Sequence, residues 1–308
     1  MSLIFAGLRR IEGLFFKNED ARLYAAIRII FAVTALINLL TLWPLATILF
    51  SDEGILDPDV ARGHGNPIYL SVFEFAHSPA AVHVVFAVTA LALVLLACGI
   101  WARLAAVWVF VWHLSFTSRI LLATTGWDQL QRSFSFLILL SPLGVEWQQK
   151  FLKNQSGGTY NAPQYGLLLM RLQLTVVYWQ TVLERVFIAD PYWNKGEFLS
   201  YFLLSSHSRV SAAWVLRSES LLQMATYSVQ LVEVLIPVLL WMRRTRWWGI
   251  LLGVALHGGI CLGAKSLEMF LMTMVMGYAA FLDRGDMDAL ENFLRRKSPN
   301  PPQESHAP

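Results

Sequence analysis

The sequence predicts an all-α, polytopic membrane helix bundle of about eight transmembrane helices, preceded by an N-terminal interfacial helix. Three observations carry this reading. Hydrophobic residues make up 56% of the chain and charged residues 15%, with mean hydropathy +0.50, far more apolar than a soluble domain. Eight apolar runs recur along the chain, most of them near the roughly 20 residues a helix needs to cross hydrocarbon. Twelve Trp and nine Tyr are enough to furnish aromatic belts at two interfaces. One membrane domain is expected over residues 23–283, between an N-terminal segment (1–22) and a cytoplasmic, partly disordered tail (284–308).

Within residues 1–22, Leu3, Ile4, Leu8, Ile11 and Phe15 recur at helical spacing, with Arg9 and Arg10 elsewhere. This pattern fits a helix lying in the interface, and its scattered charges break the uncharged core that a cleavable signal requires. The apolar runs then fall at about 23–50, 79–100, 103–125, 132–149, 165–189, 220–242, 247–265 and 267–283. Ser78-Pro79 suits the start of the second run, since proline is well tolerated in a first helical turn. Ile68–His77 before it reads as a partly amphipathic surface segment, and Ser141-Pro142 interrupts the fourth run. No internal repeat is convincing. The closing SPNPPQESHAP is polar and proline-containing, as disordered ends are.

Charge sets the orientation. With the N-terminus inside, the inner segments hold fourteen basic residues (among them Arg9, Arg10, Arg22, Arg103, Arg243, Arg244, Arg246 and Arg284) and the outer segments six. That asymmetry predicts a plasma (inner) membrane protein with both termini in the cytoplasm. A net charge of +3 without a basic block argues against nucleic acid as a partner and leaves the lipid bilayer as the expected surroundings. Cys98 and Cys261 lie in separate apolar runs and read as buried thiols. The seven histidines lack ligand spacing, and no phosphate-binding glycine loop, His-Glu-x-x-His or Gly-x-Ser-x-Gly is present; no metal site is expected.

Four arginines, Arg28, Arg119, Arg171 and Arg185, sit inside apolar runs, where an ionised group is costly and by default a clue to function. On the fifth run Arg171, Tyr178 and Arg185 are seven apart and share one face, while Gln173, Gln180 and Glu184 form a second stripe roughly 180° away at 100° per residue. A helix polar on two sides is expected to stand at the bundle centre. The sixth run carries Gln223, Thr226, Tyr227, Gln230 and Glu233 on one stripe; the third aligns Trp108, Trp112, Ser115 and Arg119; the seventh holds His257 and Gly258-Gly259, a pair that permits close helix approach. An outward-facing polar cavity follows, with Glu233 and His257 deepest. Each residue has a plainer alternative. Arg28, Arg171, Arg119 and Arg185 lie near interfaces where they can snorkel. Glu233 and His257 can be structural hydrogen bonders, Asp128 a helix cap, Trp108 and Trp112 packing, and Lys195 and Lys265 solvated interface residues.

The order of several motifs is similar to the HTTM (horizontally transferred transmembrane) domain, the membrane part of vitamin K-dependent gamma-carboxylase-like proteins. Arg28 in Ala-Ile-Arg-Ile resembles its first-span arginine. Ser118-Arg119, Gly126-Trp127-Asp128 and Leu140-Ser141-Pro142 resemble its next stretch. Tyr178-Trp179 with Trp193-Asn194-Lys195-Gly196 resembles its central signature, and Leu231-Val232-Glu233 with Pro237, Leu256-His257 and Phe270 its closing helices. Carboxylase members couple oxidation of a reduced quinone, vitamin K, to removal of a glutamate proton and addition of CO2. The resemblance implies a lysine base seven residues after the tyrosine; that place is Arg185 here, which holds its proton and serves poorly as a base.

Three function classes are open on these residues. A membrane enzyme, carboxylase-like or quinone-linked, would use Arg185, Glu233, His257 and, in place of the missing base, Lys265, with Arg119, Asp128, Tyr178, Glu184 and Trp193 around a peptide or anionic small substrate. A non-enzymatic accessory would serve the maturation, export or immunity of a small secreted peptide partner. A transporter would need the repeat or paired broken helices that this sequence lacks.

Overall fold

The computed structural model describes residues 12–13, 15–56, 59–60, 70–120, 123–152, 160–188, 191–210 and 217–297. Most of the N-terminal segment and the closing SPNPPQESHAP lie outside them. Asp20 starts the first long helix by accepting the Arg22 N–H at 2.9 Å. Helix α1 (Ala21–Leu42) continues through a 3-10 turn at Trp43–Leu45, where Pro44 sits, into α2 (Ala46–Phe50). Ser78 and Pro79 open α3 (Pro79–Cys98), as expected, with the Ser78 hydroxyl accepting from Ala81. Then follow α4 (Ala102–Arg119), α5 (Gly126–Leu140), α6 (Val145–Leu152), α7 (Tyr165–Phe187), α8 (Pro191–Asn194), α9 (Phe198–Leu204), α10 (Glu219–Trp241), α11 (Arg246–Gly263), α12 (Glu268–Tyr278) and α13 (Arg284–Lys297).

Two expectations need correction. The fourth run is two helices, because Pro142 cannot continue α5 and Gly144 turns with φ 61°, its Cα pressed so closely on α1 that a Cβ would lie 2.5 Å from the Ala21 carbonyl oxygen. Residues 18–20, placed in the N-terminal helix from sequence, instead form a strand, β1 (Asn18–Asp20), antiparallel to β2 (Asn161–Pro163) with Asn18 opposite Pro163. Among the described residues the fold is otherwise all-α, apart from an isolated bridge between Ser208 and Ala264.

Among the described residues, four helical stretches are long and apolar enough to cross a membrane: Ala21–Phe50, Pro79–Cys98, Tyr165–Phe187 and Glu219–Trp241. They keep large apolar side chains exposed, Val84, Val88 and Leu91 on α3 and Met224, Leu231 and Val238 on α10, an arrangement that water disfavours and lipid accepts. The closest helix pairs are α10 with α11, α1 with α3, α4 with α5 and α3 with α4, neighbours in sequence running in opposite directions. Helix ends therefore gather in two layers. In one, Arg22 bonds Asp20 and Asp288 (both 2.6 Å) and Glu291 (3.1 Å), and Arg246 bonds Asp283 (2.7 Å) and Asp286 (2.8 Å), which fastens α13 beneath α1 and α11. The opposite layer holds the ends of α2, α4, α7 and α11.

Helix α7 packs against α5, α10 and α12, but it is not sheltered on both sides. Its Arg171/Tyr178/Arg185 face turns inward. Leu172, Val176, Trp179 and Leu183 remain exposed, as do Gln180 and Glu184. The second polar stripe needs no neighbour there because Gln180 donates to Glu184 one turn on, at 2.7 Å. Nor is Cys98 buried: both thiols are free, and Cys98 is exposed at the end of α3.

Candidate ligand cavity

The four apolar-run arginines separate once their partners are known. A helix leaves its last carbonyls without intrahelical donors, and a cation there also meets the negative end of the helix dipole. Arg28, 1% exposed, donates to the Leu96 and Ala97 carbonyls at the end of α3 and to Leu143 at 2.8 Å. Arg119, 2% exposed, donates to Phe50, Ser51 (3.0 Å) and Leu56 (2.6 Å) at the end of α2. Arg171 reaches Ala280 at 2.7 Å and Leu282 at 3.5 Å, after α12. None of these three is among the lining of the two cavities described below; each closes the C-terminus of another helix. Arg185 is different. Its guanidinium bonds the Glu233 carboxylate on α10.

That pair borders a cavity of about 630 Å³ between α7, α10, α11 and α12, lined also by the start of α5 and covered by α8 and α9. The size suits a small-molecule site. The seven-residue spacing on α7 brings Tyr178 and Arg185 to the same wall, and the α10 stripe brings Glu233 opposite. Arg185 also lies over the Trp193 indole, 3.7 Å from its centroid, a cation–π contact. Trp193 in turn stacks on Phe198 at 4.0 Å. The covering segment is strapped down by main-chain acceptors: Asn194 donates to the Arg185 carbonyl at 3.1 Å, Gln230 to the Trp193 carbonyl at 3.2 Å, and Tyr227 to the Asn194 carbonyl at 2.9 Å.

Deeper in, the Tyr178 hydroxyl bonds His257 Nε2 at 2.7 Å and also the Tyr278 hydroxyl. All three side chains are nearly inaccessible, at 3%, 2% and 2% exposure. His257 Nδ1 is buried without a partner among the described residues. Gly253, one turn before His257, makes room for Tyr278: a Cβ there would lie 2.2 Å from the tyrosine oxygen. The expected close-approach pair, Gly258-Gly259, does something else. Neither would bring a Cβ within 4 Å of a neighbour, and Gly259 borders the cavity.

Of the residues singled out from sequence, Arg185, Glu233, His257, Tyr178 and Trp193 come together around this space. Arg119, Asp128, Glu184 and Lys265 are not among its lining. Asp128 caps α5, accepting from the Thr125 N–H at 2.9 Å and hydroxyl at 2.7 Å. Glu184 faces outward. Lys265 donates to the Ser206 carbonyl at 2.9 Å and borders a smaller adjoining hollow with Tyr201 and His207. Sequence reasoning missed Tyr278 and the aromatic cover, Phe198 and Phe202. Tyr278 lies 21 residues after His257 with no motif between them, and its only signal was a tyrosine amid methionines.

Chemically, the cavity offers an apolar interior and few polar groups. Its lining includes one cation and one carboxylate, and they neutralise each other. A free anion would have to displace Glu233 from Arg185, stranding a buried carboxylate, which is strongly unfavourable. The Thr181 hydroxyl is spent on the Val177 carbonyl at 2.7 Å. No group of three or more metal-binding side chains occurs among the described residues. Comparison with protein-family models, curated proteins and solved structures finds no match to this chain.

Proposed function

We propose that this chain is a multi-pass inner-membrane protein of the HTTM type that binds a neutral, largely apolar molecule in the α7/α10/α11/α12 cavity, with a quinone as the class the motif resemblance implies. The observation that carries the reading is a 630 Å³ apolar space whose lining charges, Arg185 and Glu233, are paired with each other. Eight crossings with both termini cytoplasmic are supported by the basic residues gathered at one layer of helix ends and by the alternating direction of successive helices. In that orientation Arg185 and the α8–α9 cover lie toward the outer face.

Binding rather than carboxylation is the assignment. Arg185 occupies the place of the implied lysine base and cannot accept a proton, and Lys265 lies outside the cavity. The test is to purify the protein in mild detergent and identify co-purifying neutral lipids by mass spectrometry of an organic extract. A near-stoichiometric quinone or similar neutral lipid is expected, and its loss in Gly259→Trp, which fills the cavity from a position with open space around it. Equal recovery from both proteins would refute the assignment.

A further inference from the structure

The Tyr278–Tyr178–His257 chain fixes which nitrogen of the imidazole carries the proton. Among the described residues, the Tyr278 hydroxyl bonds the Tyr178 hydroxyl, which also bonds His257 Nε2. A neutral imidazole has one donor and one acceptor nitrogen. With the proton on Nδ1, Tyr278 donates to Tyr178 and Tyr178 donates to Nε2. Every hydroxyl proton is then used, and the single unmet donor is Nδ1–H. With the proton on Nε2, one tyrosine hydroxyl proton has no acceptor and Nδ1 is an unmet acceptor besides. Buried unmet donors are the costly case. The first arrangement leaves a single unmet group, on a ring that lines the cavity; the second leaves a tyrosine hydroxyl proton and a ring nitrogen unmet together.

We infer that His257 holds its proton on Nδ1 and offers it as a hydrogen-bond donor to a neutral acceptor oxygen, a ketone- or quinone-type carbonyl, on the bound molecule. This rests on the cavity being a binding site and adds what that site recognises. Tyr178 and Tyr278 act as positioning residues, holding the ring and its tautomer. Arg185, already paired, leaves the recognition of the polar head to His257.

The experiment has two arms. Nitrogen-15 NMR of histidine-labelled protein in micelles, with His257 assigned by its loss in His257→Phe, reads the tautomer directly. A protonated Nδ1 and an unprotonated Nε2 are expected, with that pattern lost in Tyr178→Phe. In the second arm, 2-methyl-1,4-naphthoquinone and 2-methylnaphthalene, one ring body with and without carbonyls, are titrated into wild type and His257→Phe. The carbonyl preference is expected to fall by about tenfold in the variant, the worth of one net hydrogen bond. A proton found on Nε2 overturns the inference whatever binds. An unchanged preference in His257→Phe overturns the recognition role while leaving the cavity reading intact. Failure of both probes to bind wild type counts against the cavity reading itself, and the NMR arm still decides the tautomer.

Discussion

Replacing Glu233 by leucine isolates the Arg185 ion pair. Glu233 is 7% exposed, and the Arg185 side chain is 18% exposed. Removing one partner of a buried pair costs about 3–5 kcal/mol, because the other charge is left without compensation. Here Arg185 retains some contact with solvent and its place over Trp193 at 3.7 Å, a contact worth about 0.5–2 kcal/mol. The expected loss is therefore about 2–4 kcal/mol. In Arg185→Leu/Glu233→Leu both charges leave together, and stability is expected within about 1 kcal/mol of wild type, since apolar replacement of a whole buried pair is often neutral. Denaturant-induced unfolding in mixed micelles, followed by tryptophan fluorescence, measures all four corners of the cycle. Coupling of at least about 1.5 kcal/mol between the sites is expected, well above the scatter of independent mutations. A neutral Glu233→Leu, or a double variant whose loss equals the sum of the Arg185→Leu and Glu233→Leu singles, would refute the claim that the two charges are spent on each other.

Three further outcomes follow from the geometry. Arg28→Leu strands the buried Leu96 and Leu143 carbonyls and should cost at least about 2 kcal/mol in the same unfolding assay; a neutral result would remove the capping role. Gly253→Ala drives a methyl into Tyr278 and should cost about 1–3 kcal/mol, whereas Gly258→Ala, with open space around it, should be neutral or slightly stabilising. At the α13 layer, partial burial alone would raise the Glu291 carboxyl, but hydrogen bonds from Arg295, Arg22 and Trp147 prevail and hold it below its ordinary value. Its contribution is therefore complete above the unfolded-state pKa of about 4.3 and is lost as pH falls through the lower folded-state value. Thermal unfolding between pH 7 and pH 3 should fall less steeply in Glu291→Gln than in wild type; parallel curves would count against the linkage.

Helix positions were largely legible from the chain because apolar run length and local signals act within a few residues of one another. Ser78-Pro79 marks a start that the structure keeps, and the spacing of Arg171, Tyr178 and Arg185 placed one face correctly. What could not be read depends on other helices. Nothing in Ala-Ile-Arg-Ile says that Arg28 will meet the end of α3, or that Arg119 will meet the end of α2, so four similar arginines looked alike. The Gln180–Glu184 stripe looked like a second interior face because periodicity reports polarity and is blind to whether a pair satisfies itself. Asp128 was readable as a cap from Gly126-Trp127-Asp128 at the start of a helix. Tyr278 was not, since its role exists only where α12 crosses Gly253.

The fastening of helix ends by guanidinium groups from elsewhere has a consequence for how the protein is made. Arg28 emerges from the ribosome early, while its acceptors at Leu96, Ala97 and Leu143 are separated from it by 68, 69 and 115 residues. Once α3 is made, Arg28 can meet the Leu96 and Ala97 carbonyls, but its Leu143 acceptor is still to come. The α1–α3 pair alone is therefore not a complete unit. Arg28 thus ties completion of the α1–α3 pair to the segment that follows α5.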